Sequence, residues 1–409
     1  MSFKQLSVLT KNSVIGAAVS YLLTIYLANN LGAEMFGMYS YVLVVSGIIG
    51  LLVNYSSDTT APKMLMVHQS EQSVFNIIIS VRVAFMLLST IALIVAVCLF
   101  EFSPISAFGV FCILLTSLNL AFLFEIKGRN IQYSYIFLVE RLLYVAFVMV
   151  ILSVNESDIF SIFTLYLISS MISLVVQYKL KSTYIKTFTL PSKADFIDVL
   201  RDNFSLVMVA MAQLAYGGFS RLIFEHKYGL AQLGVFSLGL QITAAASIFQ
   251  AQVERVFRMS ICAAIESKDM SSIIAGLKRY LLMSTLPIGL LAMVLTYWSE
   301  EFVGLLFSED YQSLSELFFL FGSFFVIINL NSLMVIYWVA LGEKQKYFQI
   351  SITFAIILLL TLYFLPSSVS VKGFIMCILA IQITALVYAL LRFYLLLKRA
   401  IAAPRLEGN

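Results

Sequence analysis

Long apolar stretches separated by short polar connections make up most of the chain. A helix needs about 20 apolar residues to cross a hydrocarbon layer about 30 Å thick. Runs near this length recur from one end of the sequence to the other and predict about twelve transmembrane helices. Their approximate bounds are 13–30, 38–56, 77–99, 105–124, 134–153, 159–177, 205–224, 233–252, 280–298, 316–337, 349–365 and 373–395. The expected fold class is therefore an all-α polytopic membrane protein.

The short connection after the first apolar run returns in the second half of the chain. Residues 31–40 read LGAEMFGMYS, and residues 228–237 read YGLAQLGVFS. The repeated glycines are Gly32 and Gly37 in the first copy and Gly229 and Gly234 in the second. Glycine is the residue for a positive φ or a close backbone approach, so these positions predict two equivalent turns. The repetition predicts two similar halves, each opening with a membrane hairpin.

A polar stretch at residues 178–204 divides the two halves. We expect a six-helix lobe over 1–177, a second one over 205–395, and a cytoplasmic tail over 396–409, with a central cavity between the lobes. Within the linker, Ser192 and Asp195 resemble the start of a capped helix, and apolar residues follow on one side. The linker is therefore predicted to carry an amphipathic helix.

Composition agrees with a membrane protein, and the distribution of charge orients it. The chain is 61% hydrophobic and 12% charged, against about 45–50% and about 25% in soluble proteins. Most of the 26 basic residues fall in alternate connections, which predicts that both termini and these loops are cytoplasmic. No basic stripe with interleaved aromatics occurs, so no nucleic-acid partner is expected.

Sequence signatures of catalysis are missing from the chain. It has no phosphate-binding loop of the G-x4-G-K-[ST] type, no G-x-S-x-G, no H-E-x-x-H and no CxxC pair. We therefore expect a transporter rather than an enzyme, without a cofactor or a metal site. The remaining candidates are ionisable groups inside the spans, which are costly in lipid and so mark function by default.

The deepest charged pair is Glu140 and Arg141, in the fifth predicted span at residues 134–153 and about 10 Å past its inner boundary at 1.5 Å per residue. Adjacent helical residues point about 100° apart, so the two side chains cannot face one partner. The functional interpretation is that Arg141 binds an anionic head group and that Glu140 orients it or carries a coupling ion. The alternative is a structural ion pair with a neighbouring helix.

Further polar candidates lie near span ends. Arg82 and its partner in the repeat, Arg279, are candidates for binding the substrate. The alternative for Arg82 is that its guanidinium snorkels to the nearby interface. Arg221 has Glu225 one turn later and could pair with it or contact a ligand. The remaining candidates are Asp58, for cation binding or loop capping, and Pro287, for a kink that is either a hinge or a packing feature.

The glycine turns and the twelve spans in two halves resemble the O-antigen flippases, Wzx-type proteins of the multidrug/oligosaccharidyl-lipid/polysaccharide exporter superfamily. The resemblance covers nearly the whole chain. It implies that undecaprenyl-diphosphate-linked oligosaccharide is moved across the bacterial inner membrane by alternating access, as an antiporter driven by an ion gradient rather than ATP. It also implies contact with membrane lipids, the O-antigen polymerase and glycosyltransferases. Ser220 stands where many relatives carry an acidic residue.

Two other functions remain open. A multidrug or organic-cation exporter of the same superfamily needs acidic cavity groups, whereas arginines outnumber acids in these spans. A polytopic glycan polymerase or ligase usually needs a sizeable outer loop for its active site, and the predicted outer loops are short. Both rank below the flippase.

Overall fold

Helices form all the regular structure in the part of the chain that the computed structural model describes, which is residues 3–68, 70–154, 158–181, 188–266, 270–341 and 343–402. The α-helices are α1 (Phe3–Asn54), α2 (Ser57–His68), α3 (Glu71–Leu99), α4 (Pro104–Leu114), α5 (Ala121–Ile126), α6 (Asn130–Val154), α7 (Ile159–Lys181), α8 (Lys193–Leu214), α9 (Ser220–Glu266), α10 (Met270–Tyr280), α11 (Leu286–Tyr297), α12 (Ser299–Leu306), α13 (Phe318–Ala340), α14 (Lys344–Phe364) and α15 (Val371–Ala402). Short 3₁₀ segments cover Leu115–Leu118 and Glu309–Leu317, and π-helical segments cover Ala215–Phe219 and Leu281–Thr285.

Ten helical segments among the described residues are long and apolar enough to cross a membrane. Two of them, Lys11–Asn54 and Lys193–Ile242, have 44 and 50 residues, which is about 66 and 75 Å at 1.5 Å per residue. Each is long enough for two passes, so counting these two twice recovers the twelve predicted passes. The all-α, multi-pass fold class is confirmed.

Both long segments are interrupted at a glycine of the repeated turn. Gly32 in α1 has φ 71° and ψ 171°, and Gly229 in α9 has φ 79° and ψ 175°. This region of backbone space is open essentially to glycine alone. Helix continues directly on either side of each glycine, whereas the sequence predicted a longer connection.

The described chain forms two compact units. The first holds residues 1–214 together with Leu230–Gly234, and the second holds Ala215–Gly229 and residues 235–409. The sequence placed the boundary between halves at 178–204, and this division stays a prediction. In the structure α8 packs with the first unit. The predicted linker and tail include residues 182–187 and 403–409, which lie outside the described residues.

The first unit has a continuous apolar core where α8 meets α2, α3 and α5. Val199 and Val207 of α8 join a buried cluster that includes Phe75 and Phe122. Two hydrogen bonds fix the helix there, from Tyr55 Oη to the carbonyl of Leu200 and from the α8 residue Asn203 to the carbonyl of Tyr55. The start of α8 is capped as expected, because the Ser192 hydroxyl accepts from the amide of Asp195 at 3.1 Å.

The second unit is built on α11, α13, α14 and α15, which pack against one another. Its largest buried side chain, Trp338 of α13, is 1% exposed and lies beside Phe393 of α15. Leu358 and Phe374, from α14 and α15, are fully buried. Large apolar side chains elsewhere in both units are exposed, as expected of helices whose solvent is lipid.

Candidate functional site

Arg82 of α3 is fully buried, so it does not snorkel to the surface as the sequence suggested. Its Nε donates to Ser57 Oγ at 3.0 Å, and its Nη2 donates to Ser57 Oγ at 2.9 Å and to Asp58 Oδ1 at 2.6 Å. Its Nη1 donates to the backbone carbonyls of Ser117 at 3.0 Å and Asn119 at 2.7 Å. These contacts engage all five N–H groups of the guanidinium. Arg82 therefore has no donor left for a bound anion.

Asp58 lies in the first turn of α2, after a tight connection from α1. Tyr55 and Ser56 in this connection have φ of 49° and 56°, which side-chain-bearing residues rarely adopt. Asn54 donates to Asp58 Oδ2 at 2.6 Å, while Oδ1 accepts from Arg82. The two groups that the sequence assigned separately to ion coupling and to substrate binding are thus paired with each other.

The predicted fourth span is interrupted in its second half. After α4 the chain passes through the 3₁₀ turn Leu115–Leu118 before α5 begins. Helix ends leave backbone groups without partners, and side chains from α7 supply them: Gln177 Oε1 accepts from the amide of Leu120 at 2.8 Å, and Tyr178 Oη donates to the carbonyl of Leu118 at 3.4 Å. The interruption therefore sits in a polar setting inside the first unit.

A polar cavity of about 110 Å³ adjoins this interruption. Glu140 of α6 is half-buried and contributes the carboxylate of the cavity. Ser170 of α7 donates its hydroxyl to Glu140 Oε1 at 3.1 Å. The other lining residues come from the interrupted span, α6 and α7, and they are Thr116, Asn119, Tyr133, Phe137, Tyr166, Ser173, Leu174 and Gln177.

Arg141, the next residue on α6, reaches α1. It donates from Nη1 to Ser20 Oγ, and its guanidinium lies 4.4 Å from the ring centre of Phe137, one turn earlier on α6. Gly16 of α1 lies beside this side chain, since a Cβ built there would be in ordinary van der Waals contact with Arg141 Cδ at 3.6 Å. Glu140 and Arg141 therefore serve different faces of one helix, as the 100° separation of neighbouring residues requires.

The two candidate arginines of the second unit differ in burial. Arg221 is half-buried in α9, directly after the π-helical segment Ala215–Phe219. Its Nε is buried and has no hydrogen-bond partner among the described residues. Arg279 is exposed near the end of α10, whereas its neighbour Tyr280 is fully buried. Arg279, which the repeat aligns with Arg82, is therefore exposed, whereas Arg82 is fully buried.

Pro287 lies in the first turn of α11, after the π-helical segment Leu281–Thr285. The amide of Leu286 donates to the carbonyl of Leu281, five residues back. Because proline has no amide hydrogen, the ordinary helical bond to Met283 cannot form at this point. The predicted kink site thus coincides with a change of helix type.

The second glycine of each repeated turn occupies a close helix crossing within the first unit. A Cβ built on Gly37 would lie 1.9 Å from the carbonyl oxygen of Leu230, and one built on Gly234 would lie 2.2 Å from that of Ala33. Both distances are shorter than any real Cβ contact, so the backbones approach as only glycine permits. In each repeated turn, the first glycine therefore adopts the positive φ, and the second glycine allows the close backbone approach.

Sequence reasoning missed the neutral residues that complete the cavity. Ser170, Ser173 and Gln177 recur on one face of α7 at helical spacing, which is the signal that could have identified them. The interruption of the fourth span also has a signal, because Thr116, Ser117 and Asn119 cluster in an apolar run, and such side chains compete for backbone hydrogen bonds.

Residues 2–253 match the family model described as polysaccharide biosynthesis protein. A comparison with curated proteins found no match.

Solved transporter structures share the fold. A multidrug resistance MATE family transporter of the MOP superfamily in an inward-facing conformation aligns with a TM-score of 0.72 and 14% identity over 96% of this chain and 98% of its own. An outward-facing structure of such a transporter aligns with a TM-score of 0.62 and 14% identity, over 98% of this chain and 97% of its own. A third match is a MOP superfamily transporter from Pyrococcus furiosus, whose binding pocket is described as reversed in polarity. It aligns with a TM-score of 0.58 and 13% identity, over 98% of this chain and 97% of its own. The chain has a transporter fold.

Proposed function

Because the chain belongs to the polysaccharide biosynthesis protein family, matched over residues 2–253, we propose that it flips lipid-linked oligosaccharide across a membrane. The substrate class is an oligosaccharide repeat unit on a polyprenyl diphosphate, such as an O-antigen unit on undecaprenyl diphosphate. Movement runs from the cytoplasmic to the outer leaflet of the bacterial inner membrane. Glycosyltransferase partners would act before this step, and a polymerase partner would act after it.

The observation that carries the proposal is the bonding of Arg141. This arginine lies in the middle of a membrane helix, yet among the described residues it donates a hydrogen bond only to Ser20, and its guanidinium stacks on Phe137. Four of its five N–H groups remain for another acceptor. A guanidinium suits a diphosphate because its planar fork makes paired hydrogen bonds with phosphate oxygens. Arg82, in contrast, is fully engaged.

The chemistry of such a substrate requires a protein path. A diphosphate with several sugars cannot enter hydrocarbon unaided, whereas its polyprenyl tail can stay in lipid. The resemblance to the flippases implies an ion gradient as the driving force, and one charge moved through 100 mV gains about 2.3 kcal/mol. Most basic residues fall in connections assigned to the cytoplasm, which supports cytoplasmic termini.

The proposal is tested by flipping in proteoliposomes. Vesicles carry a polyprenyl-diphosphate oligosaccharide, and an enzyme added outside reports which glycans are accessible. Flipping by the unaltered protein should change the accessible fraction, and Arg141→Ala should lower the initial rate at least about tenfold, the loss expected when a charged hydrogen bond of roughly 1.5–3 kcal/mol is removed. Arg141→Lys should recover only part of the rate.

Arg392→Ala is the matched control. Arg392 also lies over an aromatic ring one turn earlier, Tyr388, but it is exposed on α15. Its loss should leave flipping unchanged. Equal rates for Arg141→Ala and the unaltered protein would remove Arg141 from the site. Transport of an organic cation by the same vesicles, without movement of glycan, would instead favour the exporter alternative that the MATE fold also fits.

A further inference from the structure

An apolar groove of about 280 Å³ lies between α3 and α4 in the first unit. Leu93 and Val97 of α3 line one wall, and Ala107, Phe108 and Phe111 of α4 line the other. Ala107 has the smallest side chain of the lining and leaves space that a larger residue would fill. The two helices thus pack with an open channel between them.

The described walls of the groove are apolar. Thr90 contributes a hydroxyl to the lining, but this hydroxyl donates to the carbonyl of Met86 in its own helix at 2.9 Å. The thiol of Cys98 is the weakest of donors. Ile94 of the lining and the nearby Ile91 are each 58% exposed. In a chain with ten candidate membrane spans, such a surface faces hydrocarbon, so the groove holds an apolar chain rather than water.

The groove extends from one membrane surface toward the middle of the bilayer. Since α3 ends at Leu99 and α4 begins at Pro104, both walls begin at the same membrane surface. The α3 wall covers the eight residues from Cys98 to Thr90, about 12 Å at 1.5 Å per residue. Half of a hydrocarbon core is about 15 Å. The groove therefore has the depth of one leaflet, which is the outer leaflet in the orientation proposed above.

One charged residue lies at the surface end of the groove. Glu101 is exposed in the connection from α3 to α4. It is three residues from Cys98 and three from Pro104, and both of these residues line the groove. Between Arg82 and Glu125 the sequence has no other charged residue. The charge at this end of the groove is therefore negative.

Backbone bonds hold this connection against the end of α3. The amides of Phe100 and Phe102 both donate to the carbonyl of Ala96, at 3.0 and 3.2 Å. Glu101 between them has φ of 54°, which side-chain-bearing residues rarely adopt. The carboxylate thus extends from a backbone position that the surrounding hydrogen bonds fix.

The charge of Glu101 selects among lipid head groups. A carboxylate repels the phosphate of an anionic lipid and attracts an ammonium group. The sequence has no lysine or arginine at positions 83–126 that could bind the phosphate instead. A primary ammonium also donates charge-assisted hydrogen bonds to a carboxylate. A lipid with a terminal amine and an acyl chain suits both parts of the site.

We propose that the α3–α4 groove binds an aminophospholipid such as phosphatidylethanolamine. One acyl chain lies between the two helices, and the ammonium of the head group lies at Glu101. The site uses none of the ionisable groups inside the spans, and its binding does not depend on what the protein transports.

Binding is measured by photocrosslinking of the purified full-length protein in nanodiscs of phosphatidylglycerol. The probes are phosphatidylethanolamine and phosphatidylglycerol, each with a diazirine on the acyl chain and each at the same low mole fraction. Mass spectrometry counts the adducts on residues 90–111. The adducts of phosphatidylethanolamine should exceed those of phosphatidylglycerol about two- to fivefold, as expected for an exposed ion pair.

Two variants separate the head group from the acyl chain. Glu101→Gln should give both probes equal yields, and Ala107→Phe should remove most groove adducts of both because the larger side chain fills the space. The matched controls are Glu300→Gln, in the first turn of α12 in the second unit, and Ala92→Phe, on α3 outside the lining. Both control positions are exposed, and both variants should keep the yield and the preference. Because Glu101 is exposed, its variant tests the proposal even where Ala107→Phe folds poorly.

Each outcome supports or overturns the proposal. A preference for phosphatidylethanolamine that Glu101→Gln removes supports it. Equal yields in the unaltered protein, or a preference that persists in Glu101→Gln, overturn it. Groove adducts no more frequent than those on the exposed face of α11 would show bulk lipid only. Displacement of the probe by a polyprenyl diphosphate would assign the groove to the substrate tail instead. Flipping is not part of this measurement, so a failure of the proposed function leaves its result unchanged.

Discussion

Gly37 and Gly234, which are equivalent positions of the repeated turn, approach each other reciprocally. A Cβ on Gly37 would lie 3.2 Å from the amide nitrogen of Gly234, and a Cβ on Gly234 would lie 3.1 Å from that of Gly37. Nearly equal distances in both directions are expected when two repeated segments cross with a local two-fold relation. The crossing is therefore a product of the duplication itself, and Leu230–Gly234 of the second copy belongs to the first compact unit because of it.

Alanine at either glycine should separate the crossing backbones. Gly37→Ala and Gly234→Ala each place a methyl group within about 2 Å of a carbonyl oxygen, and rigid backbone cannot move aside cheaply. We expect a loss of about 1–3 kcal/mol, read as a lower melting temperature of the detergent-purified protein. Gly47→Ala on the same helix meets nothing within 4 Å and should be neutral or slightly stabilising. Equal melting temperatures for all three variants would contradict the close crossing.

Alanine at the first glycine of each turn should also lower the stability of the protein, but for a different reason. Gly32→Ala and Gly229→Ala would place a side chain at φ of 71° and 79°, where the backbone alone costs about 1–3 kcal/mol. Gly229 has open space around it, so any destabilisation there comes from conformation and not from a clash. Gly304→Ala, at an exposed helical site with open space, is the control. Thermal unfolding of each variant checks the difference.

Arg82 should behave as a structural residue. Removing it leaves the partly exposed Asp58 and two backbone carbonyls without their donor, and an unsatisfied buried acceptor costs about 1–3 kcal/mol. Arg82→Ala should therefore reduce folded protein sharply. Arg82→Lys should recover little, since an ammonium has three donors on one atom for acceptors spread over two elements. Fluorescence-detected size exclusion measures the folded fraction. Normal yield with lost flipping would move Arg82 to the substrate site.

The sequence pattern was sufficient to predict the features that depend only on residues close together in the chain. Apolar run length determines the spans, and Gly32 and Gly229 are required by backbone geometry at single positions. The divergence of Glu140 and Arg141 follows from helical rotation alone. Each of these features depends on residues within one or two turns of the chain.

Features that depend on distant residues could not be predicted in this way. The pairing of Arg82 with Asp58 joins α3 to α2, and its other acceptors are carbonyls freed by the interruption near Asn119. Whether Arg82 snorkels or is buried therefore depends on a break in a helix that the hydropathy pattern shows as continuous. The cavity has the same origin, because Gln177 supports that break and also holds Ser173.

Pro287 offers the last test, because its surroundings separate movement from packing. Asn329 of α13 is fully buried; its amide donates to Ser284 Oγ at 2.8 Å and its oxygen accepts from Thr285 Oγ1 at 2.8 Å. These bonds hold the π-helical segment that precedes the proline. Pro287→Ala restores an amide donor for the carbonyl of Met283 and should convert the segment toward regular helix.

If the kink is a hinge, Pro287→Ala should slow flipping several-fold, because the straightened helix bends less easily at this point. The melting temperature should hold or rise, because the straightened helix is more regular. Asn329→Leu should instead lower the melting temperature, since it leaves two hydroxyls unpaired in the core. Both variants are measured for flipping rate per folded molecule. Parallel losses of folded protein and of rate in Pro287→Ala would show that the proline serves packing, and the hinge would have to be sought elsewhere in the second unit.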